Sequence, residues 1–225
     1  MKPPFQILAL DGGAASGKSS TARALADRRH FLHIDTGTHY RAVTAAALQA
    51  GISPEDETAL GELLAQLELE TRLEDRSGHL VLNGAQPSDA SLRTPEVNAA
   101  VSRFAALPAV REAVKRYQQA QVEVAREAGF AGLVMDGRDI GTVILPEADL
   151  KVFLFADEAT RAERRAAEGQ TDTIAERDRM DAKRKTAPLS AAPDAVKLDN
   201  SHLTLEQVVD EIERLLDAQA AAAEA

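Results

Sequence analysis

Residues 12–19 read Gly12-Gly13-Ala14-Ala15-Ser16-Gly17-Lys18-Ser19. This matches the pattern G-x-x-x-x-G-K-[ST], in which glycines let successive backbone N–H groups close on phosphate oxygens and the following helix adds the partial positive charge of its N-terminus. The flanks agree with those mechanics. An apolar run over 5–10 ends at Asp11-Gly12, and Ala22, Leu25 and Ala26 recur at helical spacing over 18–27. The local order is therefore strand, glycine-rich turn, helix. In such a loop Lys18 spans the terminal phosphates of a nucleoside triphosphate, the Ser19 hydroxyl joins a magnesium shell, and the cradle runs from Gly12 through Ser20. The plain alternative is a Gly- and Ala-rich turn that only tightens strand-to-helix packing. By itself the loop points to a triphosphate and leaves the reaction open.

Outward from the loop, apolar runs over 31–34, 133–135 and 151–155, with a weaker one over 195–198, predict further strands. Helical stretches over 40–49, 107–128, 158–168 and 205–216 separate them. This alternation predicts an α/β fold, a five-stranded parallel sheet covered by helices on both faces. The stretch 53–95 breaks the rhythm, with short strands over 69–73 and 80–82 and the turn pair Asn83-Gly84 after them, as in an inserted antiparallel subdomain. The charged stretch 169–189, bounded by Gly169 and Pro188, reads as a helical lid or as an ordinary solvated helix. The expected organisation is one domain, with core segments 1–52, 96–168 and 190–217 and an alanine-rich tail over 218–225 that frays.

Composition narrows the function. A formal charge of −10 and a pI near 5.0 argue against a general nucleic-acid binder, which needs surplus Lys and Arg. Residues 161–185 nevertheless gather eight Arg or Lys against six acids, compatible with a local polyanion site. There is no cysteine, which removes disulfides, thiolate metal sites and cysteine nucleophiles. The apolar run after Met1 is too short for a signal peptide, and no stretch approaches the ~20 apolar residues of a membrane span. A soluble cytoplasmic protein is expected. His30, His33, His39, His79 and His202 have no metal-ligand spacing, and no Ser/His/Asp arrangement is recognisable.

Two further strings follow predicted strands. Asp35-Thr36-Gly37-Thr38-His39-Tyr40-Arg41 follows the second, and Asp136-Gly137-Arg138-Asp139-Ile140-Gly141-Thr142 follows the strand over 133–135. With the phosphate loop, three strand ends meet at the sheet edge where open α/β folds place ligands. A bare Asp-Gly pair is more often a plain turn, but arginine after two such ends beside a phosphate loop changes the balance. Asp136 is placed to hold magnesium directly or through water, and Arg41 and Arg138 to grip a second phosphate. Arg161, Arg164 and Arg165 either reach the ATP phosphates or base, or form a solvated face.

On these residues the chain resembles the bacterial-type cytidylate kinases, of the adenylate-kinase-like fold. The resemblance runs through the loop, Asp35-Thr36-Gly37 with Tyr40-Arg41, Asn98-Ala99-Ala100-Val101-Ser102, Val110-Arg111-Glu112, 136–142, Arg177-Asp178 through Asp181 to Arg184, and Ala187-Pro188-Leu189. It implies transfer of the terminal phosphoryl of ATP, with magnesium, to CMP and dCMP; a monomer is expected, and the charge and hydropathy above predict no nucleic-acid or membrane partner. It further implies that Thr36, Ser102, Arg111 and Asp139 face the cytosine ring, that Arg41, Arg138 and Arg184 hold the acceptor phosphate, and that Arg177 and Asp181 approach the sugar. Tyr40 belongs to the same acceptor site, and Lys18, Arg138 and Arg184 are the implied catalytic cations. The chain departs from the family at Gly13 and Ala15, where Pro and Gly are usual, at His39, usually apolar, and at Met180 and Ala182. Read from the residues alone, UMP, AMP or a small metabolite such as shikimate stays open as acceptor. So does a regulatory nucleotide-binding module, although no Asn-Lys-x-Asp string is present.

Overall fold

The computed structural model describes residues 4–167, 179, 181–182 and 187–223. Arg177, Met180 and Arg184, with most of the segment 169–189, lie outside these residues. The elements are β1 (Gln6–Gly12), α1 (Lys18–Arg29), β2 (Phe31–Asp35), α2 (Thr36–Gln49), α3 (Glu57–Gln66), β3 (Leu69–Glu74), β4 (Ser77–Leu82), α4 (Asp89–Leu92), α5 (Pro95–Phe104) and α6 (Pro108–Glu127). They continue with β5 (Gly132–Gly137), a π-helical turn (Ile140–Ile144), β6 (Leu150–Phe155), α7 (Glu158–Ala167), β7 (Val196–Asp199) and a helix, α8 here (Leu205–Ala223).

The sheet has the order β3-β4-β2-β5-β1-β6-β7. All pairs are parallel except β3–β4. The expectation of five strands is corrected to seven, because the antiparallel hairpin joins the edge of the sheet through the pairing His33↔Ser77. Local alternation reveals a hairpin but carries no signal for the edge it meets. The chain reverses between β3 and β4 at Asp75, with φ 51°, while Asn83 (φ 49°) and Gly84 (φ 76°) form the following turn.

Strand alternation divides the core between the two faces. Leu8, Leu10 and Val134 meet Leu25 of α1 and Ile212 and Leu216 of α8. Ala9, Leu133 and Met135 meet Ala125 of α6 with Ile140 and Ile144. Helix α8 runs past Leu216 to Ala223, since alanine is the best helix former and needs no packing partner to extend a helix. The acids of the C-terminal segment partly face α1, where Arg28 meets Asp210 at 2.5 Å and Arg29 meets Asp217 at 2.7 Å.

One core position has a pH consequence. His39 on α2 is buried, edge-on to Tyr117 at 4.9 Å, with Nδ1 only 3.4 Å from Gln118 Nε2. Burial pushes its pKa down to about 3, with the Asp136 charge acting weakly the other way. The folded ring thus stays neutral where the unfolded ring protonates, so stability is lost as pH falls from about 6.5 toward 3, roughly 2–3 kcal/mol of it by pH ~4.5. Asp11 acts with the opposite sign. Burial raises its pKa to about 6 against the Gly141 and Ile140 N–H bonds, so its contribution falls as pH rises from 3.8 to about 6. The two partly cancel in the native protein. We expect His39→Leu to keep more of its stability between pH ~6.5 and ~4.5 than the native chain, measured as the change in denaturation midpoint; equal pH slopes would exclude a buried neutral His39.

Candidate active site

The C-terminal ends of β1, β2 and β5 lie side by side, with Leu10↔Asp136, Asp11↔Gly137 and Asp35↔Asp136 in register. They open onto a cleft of about 480 Å³, within the usual range for a small-molecule site. Ala14 through Ser20 line one side, and Thr36, Tyr40, Arg41, Ser102, Asp136, Arg138, Asp139 and Asp181 are among the residues that line the other.

The phosphate loop is fixed from behind. A Cβ on Gly12 would lie 2.3 Å from Leu154 O, so only glycine fits there. Gly17 precedes α1 with φ 87°, and Ala15 takes φ 55°, a left-handed conformation that costs a non-glycine residue about 1–2 kcal/mol. Asn200 Nδ2 donates to Ser16 O at 2.9 Å, Arg164 Nη1 donates to the same oxygen at 3.3 Å, and Arg161 Nη1 donates to Ala14 O at 3.4 Å. Because C=O and the next N–H are opposed in a trans peptide, anchoring Ser16 O aims the Gly17 N–H away from Asn200. Arg161 and Arg164, which the sequence divides between phosphate contact and solvent, thus bond the loop's own carbonyls. Lys18 Nζ donates to Gly13 O at 2.9 Å, holding the ammonium over the loop.

At the floor, Ser19 Oγ donates to Asp136 Oδ2 at 2.6 Å. Burial would raise the Asp136 carboxyl, but the His33 hydrogen bond and the charges of His33 and Lys18 hold it below its ordinary value. Neighbouring Asp35 is raised, by burial and then by the Asp136 charge. A hydroxyl and a carboxylate together form a hard-oxygen donor pair that fits magnesium, which takes few protein ligands and completes its shell with phosphate and water. Among the described residues no cluster of three His, Cys, Asp or Glu is arranged for a metal held by protein alone.

The remaining residues of the cleft are tied to one another. Arg41 Nη1 donates to Asn98 Oδ1 at 2.7 Å and to Leu92 O at 3.0 Å, binding α2 to α4 and α5. Arg138 donates from Nη1 to Gly12 O at 2.6 Å and from Nε to Asp181 Oδ2 at 2.7 Å, while Ser102 Oγ donates to Asp181 Oδ1 at 3.2 Å. Arg111 stands behind Asp139 rather than on the cleft wall; it pairs with that carboxylate, and both are buried. Thr36 Oγ1 donates to Asp136 O at 2.7 Å. Asp139 is aimed by the π-helical turn that follows it, whose Ile140 and Gly141 N–H groups each donate to the Asp11 carboxylate at 2.8 Å.

Sequence reasoning missed His33, Asp11, Arg23, Arg93 and Asn200. Arg23 and Arg93 line the cleft, His33 and Asn200 bond its lining residues Asp136 and Ser16, and Asp11 holds the turn that follows Asp139. Asp11 carries a signal, a carboxylate one residue before the loop at the end of a mostly apolar strand. His33 carries one too, since it shares the Phe31-His33-Asp35 face of β2, which period 2 turns the same way. Arg177 and Arg184 lie outside the described residues.

A mostly parallel sheet with this loop, a serine–carboxylate pair at its floor and arginines converging from the adjoining strand ends defines a phosphate-loop phosphotransferase. Residues 8–218 match the family model described as cytidylate kinase, and the chain belongs to that family. It is 40% identical over 221 residues to the cytidylate kinase of Limosilactobacillus reuteri, covering 93% of this chain and 94% of that protein. Likeness to the cytidylate kinase of Geobacillus kaustophilus is also 40% over 221 residues, covering 93% of this chain and 96% of that protein. A bifunctional pantoate ligase/cytidylate kinase of Synechococcus elongatus is 44% identical over an alignment of 225 residues that covers 93% of this chain and 41% of that longer protein. Among solved structures, a thymidylate kinase from Candida albicans is similar at a TM-score of 0.48 and 15% identity over 97% of this chain and 93% of that one, too distant to carry a functional argument.

Proposed function

We propose that this kinase transfers the terminal phosphoryl group of ATP to CMP and dCMP, giving ADP with CDP or dCDP, and works as a cytoplasmic monomer. The observation that carries the acceptor is the buried Asp139–Arg111 pair beside the phosphate loop, because a carboxylate there accepts from the cytosine N4 amino group and opposes the O4 of uracil. Membership of the family and the likeness to cytidylate kinases support the same acceptor. No described helix is long and apolar enough to cross a membrane.

In this reading Lys18 and the loop N–H groups hold the donor phosphates, while Arg41, Arg138 and Arg184 hold the acceptor phosphate for in-line attack. Ser19 and Asp136 are the residues that would hold magnesium, whose chemistry there is neutralisation of charge on the donor phosphates. The acceptor oxygen is already anionic, so no general base is required. Arg138, bonded to Gly12 O, stands between the two sides and stabilises charge as it passes from one to the other. Ser102 joins Thr36 and Asp139 around the base, with Arg111 acting from behind Asp139, Tyr40 flanks them, and Arg177 and Asp181 approach the sugar. An acceptor panel tests the proposal: with purified protein and ATP, CMP and dCMP are expected to turn over with kcat/KM at least ~10²-fold above UMP and AMP. A preference for UMP or AMP, or ATP hydrolysis indifferent to any monophosphate, would overturn it.

A further inference from the structure

His33 is a polar side chain at a core position. It lies on β2, the strand beside β5, and is 4% exposed. A buried imidazole is costly unless bonded, and the bond His33 makes is to the floor of the active site, Nε2 to Asp136 Oδ1 at 2.8 Å. The other carboxylate oxygen, Oδ2, accepts from Ser19 at 2.6 Å. The two donors approach from different elements, β2 and α1, so together they fix the rotation of a carboxylate that is 1% exposed. Each Asp136 oxygen retains a further lone pair after accepting one bond.

From this geometry we propose that His33 is a positioning residue, whose Nε2–H holds the Asp136 carboxylate in the rotamer that presents Oδ2, with Ser19 Oγ, to magnesium. The inference rests on the reading of Asp136 as a metal-holding group. Without the His33 donor the carboxylate keeps one anchor and loses a bond in a buried setting. Partners of this kind behind a metal ligand are typically worth 10- to 100-fold in metal affinity or activity.

The test uses three substitutions. His33→Phe keeps a flat aromatic ring, somewhat larger, and removes the donor, whereas His33→Gln places an amide N–H at about the reach of Nε2; His33→Asn, whose amide falls an atom short, replaces the phenylalanine variant should that one not fold. Two readouts are taken, the magnesium concentration at half-maximal turnover under saturating ATP and CMP, and the rise in melting temperature when magnesium is added to protein already saturated with ADP. His33→Phe or His33→Asn is expected to raise the magnesium midpoint about 10-fold, to lower kcat with the KM for CMP nearly unchanged, and to lose most of the magnesium-dependent rise. His33→Gln is expected to stay within about 3-fold of the native midpoint. Native magnesium dependence in the donorless variant, or equal losses in the Gln and donorless variants, overturns the proposal. Asp136→Asn separates the two levels: if it leaves the magnesium midpoint unmoved, the metal-holding reading fails, whereas if it moves the midpoint and His33→Phe does not, only the role of His33 fails.

Discussion

Lys18→Ala is expected to lower kcat by about 10²- to 10³-fold while the melting temperature hardly changes. The side chain is not part of the core and donates to Gly13 O, inside the loop it serves, so its removal opens no core cavity. The N-terminus of α1 and the loop N–H groups remain, and a helix terminus contributes about 0.3–1 kcal/mol toward an anion at an exposed site. A lysine cation directed at charge that develops during transfer is worth several times that. Donor binding should therefore weaken much less than turnover, with the KM for ATP rising modestly. Lys18→Arg should not rescue, because the planar guanidinium is larger and cannot reproduce a point charge between phosphates. Stopped-flow or steady-state phosphoryl transfer with CMP gives kcat directly. A loss below about 10-fold would mean that Lys18 only binds ATP and that the transfer step is stabilised by the arginines.

The positions of the strand ends were legible in the sequence because each is a local event: an apolar run stopped by Asp-Gly or Asp-Thr-Gly, followed by helical spacing. Thr36, Tyr40, Arg41, Ser102, Arg138, Asp139 and Asp181 were read from four separated segments and line one cleft. What could not be read is what those residues lean on. His33 and Asp136 are 103 residues apart, Arg138 and Gly12 126, Asp11 and Ile140 129. No periodicity within a window of a dozen residues reports such a pair, because strand order decides which strands are neighbours. The same reason hides the attachment of the hairpin to β2. Arg164 shows the limit from the other side: its helical spacing allows a phosphate contact as well as a solvated face, and tertiary structure turns it to Ser16 O and Asn200.

Asp139→Asn is expected to narrow the preference for CMP over UMP by about 10²- to 10³-fold, mainly by raising UMP turnover. A carboxylate offers acceptors only, so it can take the N4 amino hydrogen of cytosine but meets the O4 of uracil with like polarity. Asparagine offers an oxygen and an NH₂ group on nearly the same atoms and can satisfy either base by rotating about χ2. Asp139→Ala should narrow the gap as well, but by losing CMP turnover. Both substitutions leave Arg111, 6% exposed, as a buried cation without its carboxylate, which typically costs 3–5 kcal/mol of stability. Because that loss is common to the two, a difference between them reports base reading and a shared loss reports folding. If Asp139→Asn lowers CMP and UMP turnover by the same factor, Asp139 serves only to hold Arg111 and the π-helical turn, and the acceptor base is read by other groups. If UMP rises while CMP falls slightly, discrimination lies in the polarity of that one side chain, which the Ile140 and Gly141 N–H bonds to Asp11 and the pairing with Arg111 keep in place.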